Sequence, residues 1–308
     1  MAESVSPIPW TGNKACIYPE IEAFMPEHRV YLEPCMGSAE VFFRKKPAEK
    51  EIINDYNGDL VRVFRVLQNS EKLAFLLGRL YLSFNSEQIF RANKALLAEV
   101  PNVLDDMKQT VSIVENIGWE DIELAAAFIE NQVYSFSSTG RSFGIAKRDI
   151  TRRFGRFVAA SSRLRDAIIL HRDYKDVIEY GAGNDTFILL DPPYKGTEDA
   201  YDKSNFGKDE HAKLFAFMNE FHKRFHGKCK FLITYGDDPY IRELARIYDF
   251  DTYMQPRLHN MAQGAHPGEK FDELLIANYP LLDQAANNYR YVKEQMEQID
   301  LFNENYNK

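Results

Sequence analysis

Three things are scarce in this chain of 308 residues. The first is cysteine: Cys16, Cys35 and Cys229 lie far apart, with no CxxC pair and no His-rich segment to join them. That excludes a disulfide-stapled scaffold, gives no hint of a metal site, and fits a reducing, intracellular compartment. The second is uninterrupted apolar sequence. The longest run is six residues, Leu124 to Ile129, whereas a membrane-spanning helix needs about 20. Met1 to Trp10 has neither a basic start nor an apolar stretch, so no signal peptide is expected. The third is positive charge: 38 Lys/Arg against 46 Asp/Glu leave a formal −8, which taken alone argues against a nucleic-acid partner. The remaining composition, 45% hydrophobic and 27% charged, is that of a globular protein and excludes a disordered, collagen-like or fibrous chain. At about 150 residues per domain, the length fits two modest domains or one large one.

The average charge hides an asymmetry. Between Arg141 and Lys175 stand ten basic residues (Arg141, Lys147, Arg148, Arg152, Arg153, Arg156, Arg163, Arg165, Arg172 and Lys175) against three acids, Asp149, Asp166 and Asp173. This segment is +7 in a chain of −8, so the remainder carries −15. Such a strip reads either as a solvated helix face or as a phosphate-binding surface on an otherwise acidic protein.

Short β-rich apolar runs recur at Val30–Leu32, Glu51–Asn54, Ala167–His171, Thr186–Leu190, Lys230–Tyr235, Phe250–Met254 and Glu273–Tyr279. Several are nearly continuous, as strands covered on both faces should be. Helical patterns such as Leu60–Leu67 and Asp209–Phe225 lie between them. Strand–helix alternation predicts an α/β fold with a seven-stranded, mostly parallel sheet. The rhythm breaks from about Ser70 to Asp166, which reads as helices Glu71–Phe84, Glu87–Val100 and Asp121–Tyr134 followed by a Ser/Thr/Gly-rich loop and the basic strip. The expected organisation is therefore a body formed by residues 1–67 and 167–282, an inserted, mainly helical domain at 68–166, and a C-terminal helix in 283–308.

Four places could carry chemistry. Tyr31-Leu32-Glu33-Pro34-Cys35-Met36-Gly37-Ser38 follows a strand and precedes a helix. Ligands of open α/β sheets bind at such strand ends, and a glycine lets the backbone approach them, although an ordinary strand–helix turn reads the same way. Asp55 closes the next strand. An acid about 20 residues after the glycine can accept from ribose hydroxyls, but alone it reads as a cap or turn residue. Asp191-Pro192-Pro193-Tyr194 closes the strand Phe187–Leu190 and is the strong signal. Two prolines give a rigid turn that only accepts hydrogen bonds. An exocyclic amine could give one N–H to the Asp191 carboxylate and one to the Pro192 carbonyl, with Tyr194 stacked on its ring. The fourth is Trp10-Thr11-Gly12-Asn13-Lys14, where Lys14 could grip a carboxylate or the segment could be a plain entry to the fold.

In this order, these motifs resemble the Dam-type DNA adenine-N6 methyltransferases over about residues 7 to 280. Trp10 to Lys14 resembles the family's N-terminal cofactor motif. Glu33 to Ala39 resembles its Gly-rich motif, continued by Val41-Phe42-Phe43. Ile53-Asn54-Asp55 with Asn57 to Leu60 resembles the segment holding the ribose acid. Asp173-Tyr174 resembles the position facing the cofactor's adenine, and Asp191 to Tyr194 matches the catalytic tetrapeptide. Tyr201, Phe206 and Asp209 sit as in the family's mobile loop, and Glu273 to Tyr279 resembles its last strand. Two residues depart from the pattern: Ala39 stands where a second glycine is frequent, and Asn13 where a glycine is common. Ser135 to Gly144 matches the family's DNA-reading hairpin only loosely, which leaves the target sequence open.

The resemblance implies a Rossmann-like methyltransferase fold, S-adenosyl-L-methionine as cofactor without a metal, and double-stranded DNA as partner. It implies catalysis by Asp191, Pro192, Pro193 and Tyr194. Cofactor contacts would come from Trp10, Lys14 on the methionine carboxylate, Glu33, Pro34, Gly37, Asp55 on the ribose, Asp173 and Tyr174 at the adenine, and Asp191. A flipped target adenine would enter the tetrapeptide pocket. Arg152, Arg153 and Arg156 would contact phosphates, while Arg141, in the loop, would reach a guanine edge. A monomer in the cytoplasm of a bacterial or phage-infected cell is expected, with room for a cognate restriction endonuclease as partner. Competing readings keep the cofactor but methylate cytosine N4, an RNA base or a protein amide, or make the chain a non-catalytic DNA-binding subunit.

Overall fold

The protein's structure, a computed structural model, describes residues 4–106, 117–145, 148–197, 206–256 and 272–290. Its seven strands are β1 (Val30–Glu33), β2 (Lys50–Asn54), β3 (Ile168–Leu170), β4 (Thr186–Leu190), β5 (Lys230–Gly236), β6 (Asp251–Gln255) and β7 (Glu273–Ala277). They form one sheet in the order β3-β2-β1-β4-β5-β7-β6. β7 runs antiparallel to both neighbours, and the other pairings are parallel. All seven runs read from the sequence are strands. β4 and β7 are buried along their whole length, as continuous apolar runs require, whereas β6, at the edge, is largely exposed. Each fully buried Leu or Ile here contributes about 1.5–3 kcal/mol.

The described helices are α1 (Tyr18–Phe24), α2 (Glu40–Arg44), α3 (Gly58–Gln68), α4 (Ser70–Tyr81), α5 (Glu87–Glu99), α6 (Trp119–Tyr134), α7 (Phe154–Leu164), α8 (Tyr174–Gly181), α9 (Glu210–Arg224) and α10 (Pro239–Ile247). Their starts follow local chemistry. Asn57, Asn69, Asp173 and Asp238 each accept from the first-turn amides of α3, α4, α8 and α10. α7 is a helix built from part of the basic strip, with Phe157, Ala160 and Leu164 on its buried face. Residues 281–290 are helical, and Asn288 Nδ2 ties them to the body by donating to the carbonyls of Ala23 and Met25 at 2.7 and 2.9 Å. The rest of the expected C-terminal helix lies outside the described residues.

Among its described residues, segment 68–166 supplies no strand to the sheet. Its two ends are joined at the base: Gln68 Nε2 donates to the carbonyls of Leu164 and Ala167 at 2.8 and 2.7 Å. One hydrophobic cluster runs from the sheet (Phe187, Leu189) through α3 (Phe64, Leu67) to Leu76, Phe128 and Phe157 in the inserted helices. The insert therefore shares its core with the sheet domain instead of closing one of its own. A second cluster covers the opposite face beneath α8, α9 and α10.

Candidate active site

The strand order reverses between β1 and β4. In open α/β sheets a ligand crevice opens at such a switch point, beyond the carboxyl ends of the strands. A cavity of about 640 Å³ lies here, with Pro34, Gly37, Asp55, Tyr174, Asp191 and Pro193 in its wall. That is within the range of about 300–1,000 Å³ expected of a small-molecule pocket.

Asn54 fixes the three strand ends on one side of it. Its amide donates to the carbonyls of Pro34 and Arg172 at 2.8 and 3.0 Å, and its Oδ1 accepts from Arg172 N at 2.8 Å. The turn after β1 wraps onto Asp55. Gly37 N donates to Asp55 Oδ2, and Asn57 N to Oδ1, both at 2.9 Å. Burial pushes the Asp55 carboxyl up to about 6, against these amide donors. Gly37 has φ +47°, and a Cβ there would stand 3.0 Å from the Trp10 indole nitrogen, so a larger residue would be strained and would push the ring back by a few tenths of an ångström. Ala39 also has positive φ, +54°, while being fully buried. The departure from glycine is thus a strained position, costing about 1–2 kcal/mol. Asn13 has φ −51° and needs no glycine; its side chain caps the turn at Lys14–Cys16 and donates to Glu40.

Lys14, 6% exposed, places its Nζ 2.6 Å from Asp191 Oδ2 and 2.7 Å from the Gly12 carbonyl. Its partner in this structure is thus the first residue of the tetrapeptide. Thr234 on β5 donates to Asp191 Oδ1 at 2.6 Å. Burial raises the Asp191 carboxyl, and Lys14 and Thr234 oppose it. The Tyr194 hydroxyl donates to Glu273 Oε2 at 2.5 Å, and Lys14 Nζ lies 5.1 Å from the Tyr194 ring centroid.

Seven of the expected catalytic and cofactor residues line the cavity: Trp10, Pro34, Gly37, Asp55, Tyr174, Asp191 and Pro193. Phe206 joins them, 6.1 Å from Tyr174 between ring centroids. Glu33 and Asp173 are placed differently. The Glu33 carboxyl, 3% exposed, accepts from the Tyr31 hydroxyl at 2.7 Å and is pushed up to about 8 by burial. Asp173 accepts from Lys175 N as the cap of α8. Tyr201 and Lys147 lie outside the described residues. Sequence reasoning missed Thr234, Glu273 and the polar run Glu130-Asn131-Gln132, of which Asn131 and Gln132 line the cavity. Three polar residues following the apolar run of α6, and an acid opening the apolar strand β7, were the available signals.

The donor set fits S-adenosylmethionine. Asp55 offers a buried acceptor to hydroxyls, Asp191 a negative charge to a sulfonium, and Trp10, Tyr174 and Phe206 flat apolar faces to a purine. Among the described residues, no group of three or more His, Cys, Asp or Glu could hold a metal ion.

The basic strip divides in two. Arg163 is paired with Glu51 and donates to the Phe42 carbonyl at 3.0 Å, and Arg172 is 2% exposed. These two are part of the fold, a correction to the strip as one solvated or phosphate-binding face. Arg148, Arg152, Arg153 and Arg156 instead line a groove of about 930 Å³. Burial and then the charges of Arg156 and Arg148 lower the Arg153 guanidinium to about 10, and among the described residues Asp149 is the one carboxylate beside the four arginines in the groove's lining. Arg141 lies in a tight loop closed by an antiparallel bridge between Ser135 and Phe143, with Gly140 at φ +71°, and it too lines the 640 Å³ cavity.

The sequence pattern of the D12 class of N6 adenine-specific DNA methyltransferases matches residues 10–255. The chain belongs to this family. The methyltransferase is 26% identical over 252 residues to the DNA N-6-adenine-methyltransferase of Escherichia phage P1, covering 76% of this chain but only 30% of that protein. It is 24% identical over 290 residues to the type II methyltransferase M.CviBI of Paramecium bursaria Chlorella virus NC1A, covering 88% of this chain and 98% of the relative. It is 21% identical to the type II methyltransferase M1.LlaDCHI of Lactococcus lactis subsp. cremoris, over 88% of this chain and 94% of the relative. The activity is site-specific methylation of adenine N6 in DNA, and the family implies S-adenosylmethionine as the methyl source. The cytosine-N4, RNA-base, protein-amide and non-catalytic readings give way to this one. Among the described residues no helix is long and apolar enough to cross a membrane.

Proposed function

We propose that the target adenine is turned out of duplex DNA into the pocket formed by Asp191-Pro192-Pro193-Tyr194, and that the insert at 68–166 holds the duplex. The observation that carries this reading is the position of Asp191 in the wall of the switch-point cavity, held on one oxygen by Lys14 and on the other by Thr234. Each carboxylate oxygen keeps a second acceptor position, so Asp191 can take an N–H of the adenine amine while the Pro192 carbonyl takes the other. Unpairing the base costs a few kcal/mol, and stacking on Tyr194 returns about 1–3 kcal/mol.

S-adenosylmethionine, when bound, supplies an electrophilic methyl group. The protein's part is orientation and charge. Asp191 and the Pro192 carbonyl bend the amine toward a tetrahedral nitrogen with its lone pair exposed. The Asp191 charge stabilises the positive charge that develops on nitrogen, and its burial suits it to receive the proton that the nitrogen then sheds. Asp55 serves the ribose hydroxyls, and Tyr174 with Phe206 the cofactor's purine. Arg148, Arg152, Arg153 and Arg156 serve DNA phosphates, which position without specifying. The type II names of two relatives support a restriction endonuclease as partner.

Asp191→Ala tests the mechanism. Methyl transfer to DNA from a host lacking adenine methylation should vanish, while calorimetry still detects cofactor binding through Asp55. Near-wild-type turnover would overturn the mechanism.

A further inference from the structure

Glu273 lies outside the tetrapeptide and the cofactor motifs. It opens β7, the strand inserted antiparallel between β5 and β6, and is 1% exposed. Its register partner on β5 is Gly236, two residues beyond Thr234. Directly opposed and alternate residues share a face of the sheet, so Glu273 and Thr234 project on the same side. Gly236 has no side chain to compete for that face. The two meet the tetrapeptide at its two ends: Thr234 donates to Asp191 at 2.6 Å, and Glu273 accepts from the Tyr194 hydroxyl at 2.5 Å. Tyr235, between the two β5 positions, closes on the Tyr194 ring at 5.8 Å and is itself bound to His211 Nδ1 at 3.0 Å.

We infer that Glu273 is a positioning residue for methyl transfer: by holding the Tyr194 phenol, it fixes the plane of the ring on which the acceptor base stacks. This rests on the stacking role proposed for Tyr194. A tyrosine ring anchored only at its Cβ can swing about two torsions. A charge-assisted bond from its far end to a buried carboxylate removes that freedom. Lys14 adds a second restraint, with its ammonium near the same ring and bound to Asp191. The base amine and the ring beneath it are thus set by one linked group, Glu273–Tyr194 and Lys14–Asp191–Thr234, in which β5 and β7 hold the tetrapeptide from behind. Misplacing a reacting group by about 1 Å can cost about a hundredfold in rate, which is the scale on which such a restraint acts.

The test is a mutant cycle with separate readouts for binding and turnover. Glu273→Leu should lower kcat by roughly ten- to hundredfold, with the calorimetric Kd for S-adenosylmethionine unchanged within about twofold. Glu273→Gln keeps an acceptor for the phenol and should recover most of kcat. Tyr194→Phe should resemble Glu273→Leu, and Glu273→Gln or Glu273→Leu added to Tyr194→Phe should cost nothing more. If the effects of the two sites multiply, or if Glu273→Gln is as slow as Glu273→Leu, Glu273 acts otherwise and the inference falls. Should Glu273→Leu fail to fold, Tyr194→Phe, which keeps the ring and removes its bond to Glu273, carries the test alone: wild-type kcat in that variant overturns the inference. Tyr194→Ala separates the two layers. Wild-type turnover in Tyr194→Ala removes the stacking role itself, whereas loss of turnover there with an unaffected Glu273→Leu removes only the positioning role.

Discussion

The ammonium of Lys14 stands 2.6 Å from Asp191 Oδ2, joining the N-terminal motif to the catalytic tetrapeptide as an ion pair. Burial alone drives Asp191 toward its neutral form, and Lys14 is the largest opposing influence. The carboxylate must be charged to steady a developing positive nitrogen. Lys14→Met removes the opposing charge, so the Asp191 carboxyl rises further and the charged fraction at a given acidic pH falls. The acidic limb of kcat should therefore move to higher pH, with the alkaline side recovering part of the loss. A pH–rate profile of the two proteins checks this. An unmoved limb would mean that Lys14 serves some group other than Asp191.

Asp55 gives a pH dependence of a different observable, binding. Burial pushes its carboxyl up to about 6, against three backbone donors, Asn57, Gly37 and Tyr56. In the proposed role, the ionised form would accept from both ribose hydroxyls and the neutral form would give up an acceptor. Cofactor affinity should thus be full above that pH and fall as pH drops through it. Asp55→Ala should weaken binding by about 1.5–3 kcal/mol, the worth of a hydrogen bond to a charged group, and should flatten the pH dependence. Calorimetry between about pH 5 and 7.5 spans the transition. A flat wild-type profile would leave Asp55 as the turn residue that its bonds to Gly37 and Asn57 also describe.

Arg163 separates fold from function within the basic strip. Glu51 accepts from Arg163 and from Lys45, and the Arg163 guanidinium lies 3.8 Å from the Phe42 ring centroid. Burial raises the Glu51 carboxyl, but those two cations outweigh it and hold it below the usual range. The pair therefore stabilises the fold above the carboxyl's unfolded pKa and loses its effect as pH falls through the depressed value. Leaving a buried charge wholly unpaired costs about 3–5 kcal/mol; Lys45 still pairs with Glu51, so Arg163→Gln should cost less than that and lower Tm by a few degrees at neutral pH. Arg152→Gln, whose side chain is 85% exposed, should leave Tm in place. Equal melting of both variants would return Arg163 to the solvated strip.

Periodicity made the seven strands legible, because β-branched and aliphatic runs bounded by turns admit few other readings. The motif order placed Gly37, Asp55 and Asp191 at three strand ends, and the strand order brings those ends together around one cavity. Charge was the weakest guide. A sequence cannot distinguish Arg172, buried against the β3 end, from Arg152 in solvent, because the distinction lies in long-range packing. The same holds for Lys14, whose partner Asp191 is remote in sequence, and for Glu273, whose role depends on a strand inserted between two others. α7 is legible only as one alternative, a helix face within the basic strip, because Gly155 and a run of arginines mask the spacing of Phe157, Ala160 and Leu164.

The insert carries arginines in two different settings. Arg153 is flanked by Arg148 and Arg156 in one groove, and their mutual repulsion lowers its guanidinium to about 10 after burial has done the larger part. A polyanion entering this groove relieves that repulsion whatever its sequence. Changing Arg152, Arg153 and Arg156 together to Gln should weaken binding to every duplex about equally. The slope of log affinity against log salt should become shallower by up to about 0.9 for each phosphate that is no longer neutralised. Arg141 is placed differently, on a strained loop beside Gly140 and in the wall of the cavity that also holds Asp191. A side chain there faces the pocket proposed for the target base, where a bidentate contact to a guanine edge would be worth about 1–3 kcal/mol of discrimination. Arg141→Ala should narrow the gap between cognate and non-cognate duplexes by that amount and leave the salt slope nearly unchanged. Sequencing of DNA from cells expressing the enzyme identifies the methylated context, and salt titrations on one cognate and one scrambled duplex then compare the two variants. A wild-type slope in the triple variant would make the groove a solvated face. An intact sequence preference in Arg141→Ala would move the reading residue elsewhere in the insert.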